Sequence, residues 1–92
     1  MPKPDDKFFD RADAHIELSN NQLDNDNIGT VSASMLYGTA RFNAYRSALD
    51  FDNGIEMQEA KKEILNYFLS QYEKMLEENI DDYIDNFDAY LK

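Results

Sequence analysis

Cysteine and tryptophan are absent from this 92-residue chain, glycine occurs three times and proline twice. Without cysteine there is no disulfide, no thiolate metal site and no cysteine nucleophile. Small secreted domains usually rely on such staples, so the expected compartment is the cytoplasm. The start of the chain, Met1 to Phe9, has no apolar stretch of the kind a signal peptide carries. No apolar run approaches the length of a membrane span, which removes a membrane protein from the expectation. Both prolines fall within the first four residues. A chain so short of turn formers favours helices over many short strands. The expectation is a single all-helical domain over 1–92, with residues 1–4 as a flexible lead.

Basic residues are also scarce: nine against 19 acidic ones, for a net charge of -10. Such a surface is repelled by phosphate backbones and by anionic membranes, so direct nucleic-acid and membrane binding are excluded from the expectation. Residues 73–92 hold seven acids against two lysines, a net of -5, so half the excess charge lies on the last fifth of the chain.

Four helices are legible. The first is predicted from Asp5 to Leu23, with Asp5 or Asp6 as N-cap and Phe8, Phe9, Ala12, Ile16 and Leu23 on one apolar stripe. It should end in the turn formers Asp24-Asn25-Asp26-Asn27-Ile28-Gly29. The second is predicted from Val31 to Leu49, with Ser32 available as a cap. Val31, Met35, Gly38, Phe42, Tyr45 and Leu49 form one seam at alternating steps of four and three. Ala33, Leu36, Tyr37, Ala40, Ala44 and Ala48 form a second face, mostly of small side chains. A helix apolar on two sides is expected between two others, here the first and third.

The third helix is predicted to start at a capping box, Asn53 with Glu56. Its core face runs Met57, Ala60, Ile64, Phe68, Tyr72 and Met75, widened by Leu65 and Leu76. A break near Asn79 is expected to separate an acidic amphipathic segment. There Ile80, Tyr83, Ile84, Phe87, Tyr90 and Leu91 share one face, and Asp81, Asp82, Asp85 and Asp88 occupy the other. The alternative is one continuous helix that changes neighbours. No internal repeat is evident at this level. The architecture expected is therefore a three- to four-helix bundle-like domain, with a long third helix and an acidic C-terminal helix.

Few constellations carry chemistry. The two loops rich in Asp and Asn fail the EF-hand pattern: from Asp24, the fifth position is Ile28 and the twelfth Met35; from Asp50, Gly54 comes one residue early and the twelfth position is Lys61. Capping and turn formation account for them. His15 is the sole histidine, so one chain cannot build a histidine zinc site, and there is no Glu-x-x-His pair for a di-iron bundle. A half-buried structural histidine is the plain reading of His15; a pH-sensitive contact is the functional one. Arg41 lies where the two apolar faces of the second helix meet, with Ser34 and Tyr37 one or two turns before it. It is expected to be partly buried and paired with an acid; the functional reading is an anion-binding cleft formed with Ser34 and His15. No serine stands in a nucleophile motif, and there is no glycine-rich phosphate loop. No catalytic residue, metal ligand or cofactor site is assigned, and the chain is not expected to be an enzyme.

Three stretches together carry a resemblance: Ala12-Asp13-Ala14-His15-Ile16; Val31-Ser32-Ala33-Ser34-Met35 with Ala40-Arg41-Phe42-Asn43-Ala44; and Met75-Leu76-Glu77-Glu78-Asn79 through Asn86-Phe87-Asp88. The chain resembles, over nearly its whole length, a family of small bacterial proteins classed as a domain of unknown function. The resemblance implies a bacterial, stand-alone small protein. It implies no activity, cofactor or site residue.

The function expected from these residues is a protein-binding or regulatory module. Its acidic face at Asp81, Asp82, Asp85 and Asp88 would meet a basic protein partner. Two alternatives stand beside it: a small-anion or metabolite site around Arg41, and an acidic mimic of nucleic acid that blocks a DNA-binding protein. Homodimerisation is left open.

Overall fold

The computed structural model describes residues 5–92; the flexible lead expected at 1–4 lies outside them. Four α-helices follow in order: α1 Phe8–Asn21, α2 Ile28–Ala48, α3 Gly54–Asp85 and α4 Phe87–Leu91. The described residues outside them are turns, bends and short irregular segments, so the chain is all-α. Its contacts group into two units, one ending at Arg46 and one starting at Ser47.

In the first unit the helix ends depart from the sequence expectation for local reasons. Asp5 and Asp6 do not cap α1; Lys7 holds the cap position without a side-chain bond. Asp5 instead folds into a turn, its Oδ1 accepting the Lys7 N–H at 3.0 Å and Arg11 Nη2 at 2.8 Å. Those two donors, the backbone N–H first and the guanidinium second, hold the Asp5 carboxyl below its usual range. Helix α2 starts at Ile28, earlier than Val31, so Ser32 lies inside it and caps nothing. The reason is Asn27. Its Oδ1 accepts the Asp24 N–H at 2.8 Å and its Nδ2 donates to Gln22 O at 3.0 Å. The turn is thereby closed, and the Asn27 carbonyl is left to accept the Val31 N–H at 2.9 Å as the helix begins. The Asp/Asn loop thus serves the turn.

Helices α1 and α2 touch where Ser19 Oγ donates to Met35 Sδ at 3.0 Å. Of the α2 seam only Val31 is buried; Phe42 is 67% exposed and Tyr45 59%. The seam read as a packed face is thus largely exposed. Helix α1 extends for about 21 Å against about 31 Å for α2, at 1.5 Å per residue, and is too short to shield the whole of it. Gly38 lies mid-helix with nothing within 4 Å of where a Cβ would stand. Gly38→Ala is therefore expected to stabilise the chain by roughly 0.5–1 kcal/mol, through the unfolded state, in urea unfolding. A loss of stability would show that a neighbour presses on that position.

In the second unit the N-cap half of the expected capping box forms, while the glutamate half falls on the residue before the cap. Asn53 is extended and its Oδ1 accepts the Glu56 N–H at 2.9 Å. Glu56 reaches back to the Asp52 N–H, at 3.5 Å. Helix α3 then runs unbroken past Asn79, so the break expected there is absent. No proline or glycine lies between Ile55 and Asp85 to stop it. Asn79 joins the helix by donating its Nδ2 to Met75 O at 2.7 Å. The interruption comes at Asn86, whose backbone leaves the helical region at φ -121°, ψ 27°. There the side chain competes with the helix, its Nδ2 donating to Asp82 O at 3.1 Å and to Asp82 Oδ1 at 2.9 Å.

Helix α3 presents three faces. Met57, Ala60, Ile64, Phe68, Gln71 and Met75 are its half-buried residues, close to the core face read from the sequence, with Gln71 in place of Tyr72. A second apolar stripe of Leu65, Leu69, Tyr72, Leu76, Ile80 and Tyr83 is exposed. It is turned about 120° around the helix from the first, at roughly 100° per residue. Leu65 and Leu76 do not widen the first face; they belong to the second. The remaining face is polar and includes Glu77, Asp81 and Asp85. No described helix is long and apolar enough to cross a membrane.

Candidate functional site

The four acids singled out from the sequence do not behave as one row. Asp82 is spent on structure. Besides its two bonds from Asn86, its Oδ2 accepts the Tyr90 hydroxyl at 2.8 Å. The Tyr90 ring stacks on Tyr83 with centroids 4.5 Å apart. Asp88 lies 3.7 Å from Lys92 Nζ, an exposed pair one helical turn apart, of the kind that contributes little. Asp81 and Asp85 remain. Both are exposed on α3, and among the described residues neither takes part in a hydrogen bond or an ion pair. Of the four, these two keep their charge unspent, as do Glu73, Glu77 and Glu78 of the same stretch, which are also exposed.

The Tyr90–Asp82 contact has a pH signature. The hydrogen bond to the carboxylate, reinforced by its charge, raises the Tyr90 hydroxyl above the ordinary 10.0. Folding therefore favours the protonated phenol. The contribution is complete below pH about 10 and is lost as pH rises through the raised folded value. In a phenolate absorbance titration Tyr90→Phe is expected to remove a component that titrates above the ordinary tyrosine value. An unchanged upper limb would overturn this.

The residues considered for an anion cleft are not brought together. His15 is exposed on α1, and Ser34 and Arg41 are exposed on α2. Ser34 Oγ donates back to Thr30 O of its own helix at 2.9 Å. Arg41, expected to be partly buried and paired, is open to solvent and has no ion pair among the described residues. An arginine at the seam of two apolar faces is buried only if those faces are, and Leu36, Tyr37, Phe42 and Tyr45 are themselves exposed. Among the described residues no group of three or more histidine, aspartate or glutamate side chains is placed to hold a metal ion.

The exposed stripe on α3 was missed in the sequence, and a signal for it was present. Leu65, Leu76 and Phe87 are eleven residues apart, as are Leu69, Ile80 and Leu91, and Tyr72 and Tyr83. Tracing one stripe at steps of three and four merged two faces that only this longer spacing separates.

A family model described as "Protein of unknown function (DUF3144)" matches residues 8–84. Among solved structures, the chain is similar to the NMR structure of the protein NB7890A from Shewanella sp. The two are 37% identical with a TM-score of 0.77, over 97% of this chain and 95% of that one. No curated protein matches.

Proposed function

The chain belongs to the family described as protein of unknown function (DUF3144), and on that footing we propose that it works by binding, as a cytoplasmic protein-binding or regulatory module whose acidic C-terminal end receives a basic protein partner. One observation carries the reading. Asp81 and Asp85 are exposed and unpaired within the stretch of the chain that holds half the excess negative charge. Charge left unsatisfied inside the molecule is available to a partner, where it steers encounter and selects the complementary surface. Asp82 and Asp88 are supporting members: Asp82 keeps the helix end in shape, and Asp88 adds to the field. Catalysis has no comparable support, since no activated nucleophile or acid–base pair is assembled among the described side chains.

The test is capture with immobilised chain from a bacterial lysate. A basic protein should be retained at about 50 mM salt, released as the Debye length shrinks at roughly 0.5 M, and lost from an Asp81→Asn/Asp85→Asn chain. Retention of the same protein by the double variant would remove the reading. If the released protein binds DNA, DNA is expected to compete with the chain only where the acidic face acts as a nucleic-acid mimic.

A further inference from the structure

We propose that the exposed stripe of α3 is the interface of an antiparallel homodimer, in which two copies of this helix pack about a two-fold axis through Leu76. The stripe consists of Leu65, Leu69, Tyr72, Leu76, Ile80 and Tyr83, all 43–63% exposed; Phe87 and Leu91 carry its spacing on into α4. It lies on a different side of α3 from the half-buried face, and from the polar face that bears Asp81 and Asp85. Pairing through it leaves the acids open.

Three features select a second copy as the occupant. The first is symmetry. The residues from Leu65 to Phe87 are spaced identically in both directions from Leu76. Two copies of α3 running in opposite directions bring Leu69 against the partner's Tyr83 and Tyr72 against the partner's Ile80. Leu76 meets the partner's Leu76. A two-fold interface requires one patch to be complementary to itself in this way. The second is period. Helices pack along stripes of matching repeat, and the sense in which they wind about each other follows from it. The stripe of α3 repeats every eleven residues, whereas the open seam of α2, Val31 to Leu49, repeats every seven. Within α3 the stripe runs from Leu65 to Tyr83, about 27 Å. Only another copy of α3 offers the same repeat. The third is area. Aromatic side chains bury roughly 150–250 Å² each and leucine or isoleucine somewhat less. The six of α3, about half-exposed, offer on the order of 500 Å² per chain, so a pair reaches the roughly 1,000 Å² that a specific interface needs.

Charge sets the direction. The start of the stripe is near neutral, with Lys61 and Lys62 among Glu56, Glu59 and Glu63, and the seven acids of residues 73–92 lie along its end. The antiparallel arrangement places each near-neutral start beside the partner's acidic end. The parallel one stacks acidic end on acidic end.

The test uses the full chain in sedimentation equilibrium at about 10–100 μM, a range that populates dimers of ordinary affinity. The expected mass is twice 10.7 kDa, and association does not weaken when salt is raised, because screening relieves the repulsion of two chains of net charge -10. This separates the dimer from the basic-partner complex, which salt dissolves, so either can fail alone. Leu76→Glu, which sets two like charges together on the axis, is expected to weaken association by about 100-fold or more, while Ser70→Glu on the polar face leaves it unchanged. Because the chain has no cysteine, single introduced cysteines report the geometry directly and cover the case in which Leu76→Glu unfolds. Leu76→Cys should oxidise to a disulfide-linked dimer, and Leu69→Cys should not unless mixed with Tyr83→Cys. A monomer at both salt concentrations overturns the proposal; so does Leu69→Cys linking as fast as Leu76→Cys, the signature of parallel chains.

Discussion

Asn79→Pro is expected to cost about 3 kcal/mol or more in urea unfolding and to lower helical circular dichroism, because it strikes the interior of a continuous helix. Two bonds are at stake there. Proline has no N–H to donate to the carbonyl four residues earlier, and its ring collides with that carbonyl. The carbonyl belongs to Met75, which also receives the Asn79 side chain at 2.7 Å. Asn79→Ala is the control. It removes the side-chain bond but keeps the backbone, and alanine is the better helix former, so the change should be small or stabilising. If proline were tolerated at Asn79 as an N-terminal residue is, the helix would start anew there and α3 would be two helices. The contrast between proline and alanine therefore reports continuity itself, and a common loss of packing does not imitate it.

The second large effect concerns the acids left unpaired. Against a lysine-rich peptide in low salt, Asp81→Asn/Asp85→Asn is expected to slow association by about ten-fold, within the range that electrostatic steering supplies. The matched control is Asp10→Asn/Asp13→Asn, which removes the same charge from exposed positions of α1. Residues 5–26 hold seven acids against two basic residues, the same net of -5 as residues 73–92, so a smaller effect there reports the face of α3 and not net charge. Raising salt should bring all three chains toward one slower rate. Equal losses in the two double variants would show that net charge alone governs the encounter and that α3 presents no particular face. Asp82→Asn belongs to a different class: it disturbs the bonds from Asn86 and Tyr90, so the part that comes from Tyr90 should show below pH about 10 and fade above it.

Much of the fold was legible in local chemistry. Asn53 and Glu56 announce the start of α3, and the half-buried face from Met57 to Met75 follows its 3.6-residue period. Helix limits were less legible where a side chain has two uses. Asp5 and Asn27 each have the chemistry of a cap, but Asp5 is engaged by Lys7 and Arg11, and Asn27 closes its turn through Asp24 and Gln22. Asn79 and Asn86 read alike in sequence as helix breakers. One joins the helix and the other interrupts it, the difference being that Asn86 finds both the carbonyl and the carboxylate of Asp82 within reach.

The candidate site divides along the same line. The sequence by itself determined that the C-terminal end is strongly acidic, that the chain is helical, and that neither disulfide nor thiolate metal chemistry is available. These follow from residue identity and from periodicities of a few residues. Which acids remain unspent, whether Arg41 is buried, and which of two apolar stripes stays open were decided only by the tertiary structure. Each depends on what else occupies the space around a side chain: a tyrosine eight residues along, a covering helix, a neighbour about 120° around the same axis. Periodicity defines a face; what lies against that face is settled in three dimensions.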